Sequence, residues 1–234
     1  MDIKEQDLLG DAVGQHWYYK SKAAALSHYL KDVRFSRILD VGAGSGFFSR
    51  HLLRTTPATE AMCVDPNYAR DWDEFDGTKP LRFRRTADDY APDVVLLMDV
   101  LEHVDDDVAL LRQYVDALPS GTKVMITVPA FPFLWSAHDV FLEHRRRYTI
   151  SSLERCVEQA GLTVKRSSYA FGLLFPIAAL VRLAKRSVTE PRSDLKVHHP
   201  LVNGVLSAIC ALELPFIAYN KWLGLSVFCV AEKP

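Results

Sequence analysis

Ile38-Leu39-Asp40-Val41-Gly42-Ala43-Gly44-Ser45-Gly46-Phe47-Phe48 is the stretch that decides the fold of this chain. An apolar segment runs into three alternating glycines and then into a sequence that favours a helix. Because glycine has no Cβ, the backbone can turn tightly there and approach a ligand closely. A strand-to-helix turn of this kind lies at the carboxyl edge of an α/β sheet, where small molecules bind.

The spacing of the glycines differs from that of a dinucleotide-binding turn, which has the pattern G-x-G-x-x-G. The third glycine comes one residue early, and Phe47 stands where that pattern has Gly or Ala. Asp40 would repel a pyrophosphate, but it can bond an ammonium group or, through water, an amino-acid moiety. These features argue against a nicotinamide dinucleotide and leave a nicotinamide-dependent oxidoreductase as the less favoured alternative.

Asp65 ends a second apolar segment, Ala61–Val64, and lies 19 residues after Gly46. At about that separation an acid can accept bonds from the hydroxyls of an adenosine ribose. A carboxylate for the ribose, a second acid for an amine and the absence of a phosphate-binding turn together suit S-adenosylmethionine as the ligand.

With these residues the chain resembles the class I, Rossmann-like S-adenosylmethionine-dependent methyltransferases, over roughly residues 12–165 and the last strand. Within that class it is similar to the broad bacterial group of ubiquinone-biosynthesis-type enzymes. We expect the cofactor to be bound by the segment ahead of the first strand, the glycine turn and the ends of the following strands. The residues are Trp17, Tyr18, Asp40, Gly42, Ala43, Gly44, Gly46, Asp65, Pro66, Ala87, Asp88, Met98 and Asp99.

Asp88 follows the third predicted strand in Thr86-Ala87-Asp88-Asp89. In methyltransferases that resemble this chain, an acid at this place accepts a bond from the adenine amino group. Asp89 is the neighbouring candidate for the same role. A turn with a helix cap is the alternative interpretation.

Strands and helices alternate along the chain, which predicts one α/β domain over 1–234 with a mostly parallel sheet. The resemblance implies a seven-stranded Rossmann-like sheet with helices on both faces and its last strand antiparallel. We expect 1–35 to form an N-terminal helical arm or lid, and 171–224 an apolar helical insert before the last strand. The strands are expected at 37–41, 61–65, 81–86, 93–98, 123–128, 162–169 and 226–231.

Composition limits the class of protein. Hydrophobic residues make up 49 % of the 234 positions, enough for a sizeable core, and the net charge of −1 gives no basis for binding nucleic acid. Four scattered cysteines form no metal-binding or disulfide pattern, which fits a reducing compartment. The N-terminus is polar and lacks the pattern of a signal peptide, so we expect a cytoplasmic protein.

Met98-Asp99-Val100-Leu101-Glu102-His103 follows the fourth predicted strand. The resemblance places this edge beside the reacting methyl group. His103 is a candidate general base, because an imidazole titrates near neutral pH. In some relatives such acids and a histidine bind a divalent metal, and a purely loop-fixing role for Glu102 and His103 is the third alternative. We expect no metal here.

The segment His16-Trp17-Tyr18-Tyr19-Lys20 resembles an arm that closes over the cofactor in some bacterial methyltransferases. Aromatic faces attract cations, and the methyl group of the cofactor is bound to a cationic sulfonium. Lys20 or Lys22 could meet the cofactor carboxylate. The alternative is an amphipathic helix that packs its aromatic residues onto the sheet.

The loop 129–149 follows the fifth predicted strand and is long for a connection, which is typical of functional loops. We expect His138 to act as a base and Trp135, Arg147 and Tyr148 to contact the methyl acceptor. In the alternative interpretation the loop's histidine, aspartate and arginines form a salt-bridged scaffold that only fixes the loop.

Two apolar segments, Phe171–Val181 and Leu201–Tyr219, flank a polar segment that is rich in basic residues. They could form a lid, a homodimer interface, a hairpin that rests on the inner face of a membrane, or additional core. The predicted function is methyl transfer to an oxygen or nitrogen of a small or lipid-linked acceptor. A non-catalytic scaffold that uses the insert to bind a partner is the alternative.

Overall fold

A computed structural model of the chain describes residues 10–87, 90–184, 190, 193, 196 and 198–234. Within these residues eight strands form one mixed sheet. The strands are β1 (Arg37–Val41), β2 (Glu60–Val64), β3 (Trp72–Asp76), β4 (Lys79–Arg84), β5 (Val94–Met98), β6 (Lys123–Pro129), β7 (Thr163–Ala170) and β8 (Ser226–Glu232). The α-helices are α1 (Trp17–Leu30), α2 (Phe47–Thr55), α3 (Asp107–Val115), α4 (Ala137–Phe141), α5 (Ile150–Gln159), α6 (Phe175–Ala184) and α7 (Pro200–Glu213).

The sheet has the spatial order β3-β4-β2-β1-β5-β6-β8-β7. Strands β4, β2, β1, β5 and β6 run parallel, and β8 pairs antiparallel with both β6 and β7. The predicted mostly parallel sheet with an antiparallel last strand is therefore confirmed. All five residues of β5 are buried, as expected for a strand covered on both faces.

The expected number of seven strands is wrong, because β3 adds an eighth strand at the edge of the sheet. It pairs antiparallel with β4 through a tight turn at Gly77, where φ is 64°. Aspartate and glutamate are rare in strands, so the acidic sequence of β3 hid it. It is held by an aromatic stack, since the rings of Trp72 and Phe83 lie 4.2 Å apart.

Two buried clusters cover the two faces of the sheet. On β1, Ile38 belongs to the cluster that contains residues of α1 and α2, and Leu39 belongs to the one that contains residues of α3 and α5. This alternation follows from the two-residue period of a strand. The parallel direction of these strands places their carboxyl ends along one edge of the sheet, where the predicted site residues stand.

Thr149 caps α5, with its hydroxyl accepting a bond from the backbone N–H of Ser152 at 3.2 Å. Helices α6 and α7 and a 3-10 helix, Leu214–Tyr219, lie between β7 and β8. The segment Pro200–Tyr219 is long and apolar enough to cross a membrane, with a mean hydropathy of 1.9 and 22 % of its most apolar stretch buried.

Candidate functional site

The glycine turn joins β1 to α2 in a backbone conformation that few other residues adopt. Gly42 has φ of 65° and Gly46 has φ of 70°. A Cβ on Gly42 would lie 2.7 Å from Cγ2 of Val100, and one on Gly46 would lie 3.1 Å from the ring of Phe83. The turn therefore needs glycine for its conformation and for close packing against the neighbouring strands.

A cavity of about 830 Å³ opens beside this turn, at the carboxyl ends of β1, β2, β4 and β5. We call it the glycine cavity; its walls include Gly42, Asp65, Pro66, Ala87, Asp99 and His103. Asp65 stands at the end of β2, where its carboxylate accepts a bond from the backbone N–H of Asn67 at 3.0 Å. The cavity has the size of a cofactor site, and its carboxylate suits a ribose better than a phosphate.

Asp40 is buried behind the turn, where Ser49 donates a hydrogen bond to its Oδ2 at 2.8 Å. Its other oxygen, Oδ1, is buried without a hydrogen-bond partner among the described residues. Burial raises the pKa of Asp40 to about 6. An ammonium group or a bound water would satisfy that oxygen, so the residues of the turn fit S-adenosylmethionine, the ligand expected from the sequence.

Asp99 stands at the end of β5 with φ of 57° and forms an ion pair with Lys22 of α1, in which Lys22 is fully buried and Asp99 is partly buried. Lys22 also donates a bond to the hydroxyl of Tyr18 at 3.1 Å, and Thr127 donates one to Asp99 at 3.1 Å. Burial alone would raise the pKa of Asp99, but the Lys22 ammonium outweighs it and keeps the pKa below its usual value. Lys22 is thus bound to the protein's own carboxylate.

A second cavity of about 550 Å³ lies between this edge of the sheet and the two helices α6 and α7. We call it the insert cavity. Its polar walls include Trp17, Asp99, Glu102, His138 and Arg147. Its apolar walls include Ile177, Val181, Leu206 and Ile209 from the two helices. Asp99 and Leu142 line both cavities, so the two meet at this point.

Glu102 is fully buried, and its Oε2 has no hydrogen-bond partner within the described part of the chain. Burial, followed by the nearby charge of Asp99, raises the pKa of Glu102 well above its usual value. The Nε1 of Trp17 is likewise buried and unpartnered among the described residues. A carboxyl group and an indole N–H with unused hydrogen-bonding capacity therefore belong to the walls of one cavity.

His103 and His144 lie next to Glu102, with their ring centroids 4.8 Å apart. Ligand atoms of Glu102, His103 and His144 all lie within 4.8 Å of one another. Two imidazoles and a carboxylate can either move protons or hold a divalent cation. The structure thus replaces Asp99, in the metal-ligand set considered from the sequence, by His144.

Arg147 lies in the wall of the insert cavity and is bound to Asp139 through Nε at 2.7 Å and Nη2 at 3.0 Å. His144 bonds the same carboxylate at 3.0 Å. Burial alone would raise the pKa of Asp139, but these bonds and the Arg147 charge outweigh it and lower the pKa. In the described structure this part of the loop forms the salt-bridged scaffold that the sequence left as an alternative.

The remaining predicted residues are spread around the two cavities. Trp17 and Tyr18, expected at the cofactor, line the insert cavity. Tyr148 is buried and donates a bond to Asp107 at 2.7 Å, and Trp135 is partly exposed; neither is among the lining residues of the two cavities. Ala43, Gly46 and Met98 are buried behind the site, Gly44 donates a long bond of 3.4 Å to Asp65, and Asp88 lies outside the described residues.

Three site residues were not predicted in the positions that they occupy. Lys22 pairs with Asp99, His144 lies beside Glu102 and His103, and Arg182 of α6 lines the insert cavity. A signal existed for Lys22, which falls on the apolar face of α1 with Tyr19, Ala23 and Leu26. A lysine in that position must find a buried anion. His144 and Arg182 gave no such signal, because loop and insert positions carry no periodicity that shows where a side chain ends.

Residues 15–167 match the sequence profile of a family described as methyltransferase domain. No curated protein sequence matches the chain. Of solved structures, a methyltransferase from Haloferax volcanii in complex with the Trm112 methyltransferase activator is 16 % identical with a TM-score of 0.55. That alignment covers 99 % of this chain and 93 % of the other.

A methyltransferase from Archaeoglobus fulgidus, described as dependent on S-adenosylmethionine, is 17 % identical with a TM-score of 0.54, over 99 % of this chain and 98 % of its own. The calicheamicin-biosynthesis methyltransferase CalO1, in its S-adenosylhomocysteine-bound form, is 21 % identical with a TM-score of 0.51, over 70 % and 56 % of the two chains. At these identities the structural likeness concerns the fold.

Proposed function

The chain belongs to the methyltransferase-domain family and is an S-adenosylmethionine-dependent methyltransferase, and on that premise we propose which cavity serves which substrate. The glycine cavity holds the cofactor, and the insert cavity holds the methyl acceptor. When bound, the cofactor supplies a methyl group activated by its sulfonium. The reaction is transfer of this group to an oxygen or nitrogen of an acceptor with an apolar body.

The observation that carries this proposal is the junction between the cavities. Asp99 and Leu142 are common to both walls, so a ligand in one cavity can reach a ligand in the other there. Leu142 is buried, which helps to exclude water at the junction. Holding two reactants in adjoining, water-poor sites is the main contribution that a protein makes to a transfer of this kind.

On the cofactor side, Asp65 accepts the bonds of the ribose hydroxyls and the unpartnered oxygen of Asp40 receives the amino group, directly or through water. The φ angles of the glycine turn bring the backbone to the wall of the cavity without side chains. Pro66 and Ala87 form the apolar part of the same wall, which suits an adenine ring. Asp88 is proposed for the adenine amino group from the sequence alone.

On the acceptor side, the insert cavity offers an apolar wall from α6 and α7 and polar atoms on Glu102 and Trp17. The two atoms with unused hydrogen-bonding capacity can orient the polar group of an acceptor. An apolar body with one nucleophilic end matches this division, which supports a lipid-like rather than a highly polar acceptor.

We assign the base to His138 ahead of His103. His138 is buried in the wall of the insert cavity, which Asp99 and Glu102 also line, whereas His103 lines the glycine cavity. A base must reach the proton of the acceptor, and that proton is on the acceptor side of the junction. Arg147 then serves to hold the loop through Asp139, and Trp135 and Tyr148 have no direct part in our assignment.

A divalent cation at Glu102, His103 and His144 is the alternative to proton transfer by a histidine. We expect prolonged dialysis against EDTA to leave turnover unchanged, since the proposal needs no metal. Loss of turnover that Zn²⁺ or Mn²⁺ restores would favour the metal. The Asp99-Val100-Leu101-Glu102-His103 motif also supports a place in the ubiquinone-biosynthesis-type subgroup, as the sequence suggested.

The test is the release of S-adenosylhomocysteine with 4-alkylphenols and 4-alkylanilines of increasing chain length. If the insert cavity holds the apolar body, each added CH₂ raises kcat/KM by about two- to fourfold until the cavity is filled. Val181 lines the cavity and Leu180 does not, although both are exposed on α6. Val181→Gln should abolish the chain-length dependence, and Leu180→Gln should retain it.

Rates that ignore chain length, or equal losses in the two variants, would contradict the assignment of the cavity. Failure to release S-adenosylhomocysteine with any acceptor would instead favour the non-catalytic scaffold.

A further inference from the structure

We propose that the outer faces of α6 and α7 dock on an anionic lipid bilayer, so that the insert cavity receives its acceptor from the membrane. The inference rests on the proposed use of the insert cavity for the acceptor. Large apolar side chains are exposed to water mainly in one region of the protein. Of the seventeen that are exposed in the described part of the chain, thirteen lie between Leu173 and Leu223, so the exposure is concentrated in the insert.

On α7 the exposed side chains form one continuous stripe. Leu201, Val205 and Leu212 recur at helical spacing, and Phe216 and Tyr219 continue the stripe along the 3-10 helix. Leu201, Leu212, Phe216 and Tyr219 are each at least 70 % exposed. A helix whose apolar stripe faces away from its own core needs a partner for that stripe.

Helix α6 divides its apolar residues in the same way. Ile177 and Val181 line the insert cavity while they remain 69 % and 43 % exposed, whereas Leu180 and Leu183 are exposed and do not line it. The same helix therefore lines the acceptor site with one face and leaves the other uncovered. An apolar molecule in a bilayer that covers the outer face is separated from the insert cavity only by the two helices.

Charge favours an anionic bilayer as the occupant. From Arg182, near the end of α6, to His199, just before α7, the sequence has five lysine or arginine residues and two acidic ones, although the whole chain has a net charge of −1. Residues 200–212 contain no charged residue. An apolar stripe with a basic segment beside it has the composition of a helix that lies in the surface of an anionic membrane.

Aromatic residues mark the other end of the stripe. Trp222 is 81 % exposed and Tyr219 is 73 % exposed, immediately before β8. Tryptophan and tyrosine are enriched at the level of lipid headgroups, because their rings combine an apolar body with a polar group. In sequence, a basic segment therefore precedes the stripe, and interfacial aromatic residues lie at its other end.

The inner face of α7 shows that the helix lies on the membrane rather than crossing it. Asn203 accepts a bond from the backbone N–H of Trp17 and donates one to the carbonyl of Gln15, both at 2.8 Å. Cys210 is buried in the core, and Glu213 accepts a bond from the backbone N–H of Gly172 at 2.9 Å. Only the outer face is free to enter lipid.

The test is flotation of the full chain with vesicles of phosphatidylcholine, with and without phosphatidylglycerol. We expect binding only to the anionic vesicles, weakened by salt. The double variant Val205→Gln/Leu212→Gln should lower the bound fraction on the order of tenfold, because it removes two apolar anchors. Phe75→Gln is the matched control: Phe75 is 68 % exposed but lies on β3, away from the insert, and binding should be unchanged.

Absence of binding to the anionic vesicles, or equal binding by the double variant, would overturn the proposal. The proposal would also be overturned if the wild type did not bind vesicles and were a dimer in analytical ultracentrifugation, while the double variant were a monomer. The stripe would then contact a second copy of the chain. Turnover of a short-chain alkylphenol in the double variant separates the two proposals. If the double variant keeps its turnover but no longer binds vesicles, docking by the outer faces is supported. If the wild type binds anionic vesicles but does not turn over the alkylphenol, only the proposed function is contradicted.

Discussion

The glycine cavity and the insert cavity meet at Asp99, but they are built in different ways. The glycine cavity is lined by short loops that directly follow parallel strands, such as Gly42 after β1 and Asp65 after β2. The insert cavity collects its walls from α1, the loop after β6 and both helices of the insert. The first site is built mainly at the ends of sheet strands, and the second mainly from a loop and helices that flank the sheet.

The residues that meet in the two cavities are therefore determined by different parts of the structure. In the first cavity the fold of the sheet determines which residues meet, because parallel strands place their carboxyl ends at one edge. In the second cavity the meeting depends on how a helical insert and a loop pack, which varies freely on the same fold. Variants at the junction, on the acceptor side and on the cofactor side are expected to have successively smaller effects.

The largest effect is expected at the junction. Lys22→Met leaves the buried carboxylate of Asp99 without its cation, which should lower the free energy of unfolding by about 3–5 kcal/mol, measured by urea denaturation. The double variant Lys22→Met/Asp99→Asn removes both charges and should recover much of that loss. If the single and double variants were equally unstable, the ion pair would not be what joins α1 to β5.

On the acceptor side, His138→Ala should reduce kcat by about 100- to 1000-fold and leave the dissociation constant of S-adenosylhomocysteine unchanged, because the base acts on the acceptor. Steady-state kinetics and calorimetry measure the two quantities. His28→Ala, half-buried on α1 and away from both cavities, is the control. A matching loss of cofactor affinity would place His138 in the wrong cavity.

On the cofactor side, Asp65→Ala should weaken binding of S-adenosylhomocysteine on the order of 100-fold, since two hydrogen bonds to a charged acceptor are lost. Calorimetry measures it directly. Asp32→Ala removes an exposed carboxylate after α1 and should have no effect. If the Asp65→Ala variant bound S-adenosylhomocysteine as tightly as the wild type, the assignment of the ribose to Asp65 would be wrong.

The smallest effect concerns Asp40. Its pKa is raised by burial from 3.8 to about 6, so the folded chain holds this proton where the unfolded chain has lost it. Ionisation therefore costs stability progressively as the pH rises through this window, and the cost is complete above it. Asp40→Asn, which can keep the bond from Ser49, should be more stable than the wild type by about 2 kcal/mol at pH 8.

Urea denaturation at a series of pH values checks the Asp40 prediction. The advantage of Asp40→Asn should shrink as the pH falls below about 6, while its affinity for the cofactor should be lower throughout. A stability difference that does not vary with pH would mean that Asp40 is not buried as a charge.

Most of the sheet could be predicted from the sequence, because its strands are apolar runs separated by turn residues. The exception, β3, shows the limit: its acidic residues break the apolar pattern, and it is held by the stack of Trp72 on Phe83, a contact between separate strands.

The partners of the ionisable residues could not be predicted. Lys22 was expected near the cofactor carboxylate, yet it pairs with Asp99, 77 positions away. Arg147 was expected at the acceptor and is held by Asp139 in the wall of the cavity. Charged side chains find their partners across the fold, and their length lets them reach several candidates.

The class of fold, the family and the cofactor could be predicted from the order of the residues, since they follow from a glycine turn and from acids at the ends of neighbouring strands. The packing of α6 and α7 around a second cavity that Glu102 and His138 line, and the exposure of their outer faces, are visible only in the folded chain. The physical reason is that strand ends are ordered by backbone hydrogen bonds with a fixed register, whereas the helices of an insert are positioned by side-chain packing that no local pattern specifies.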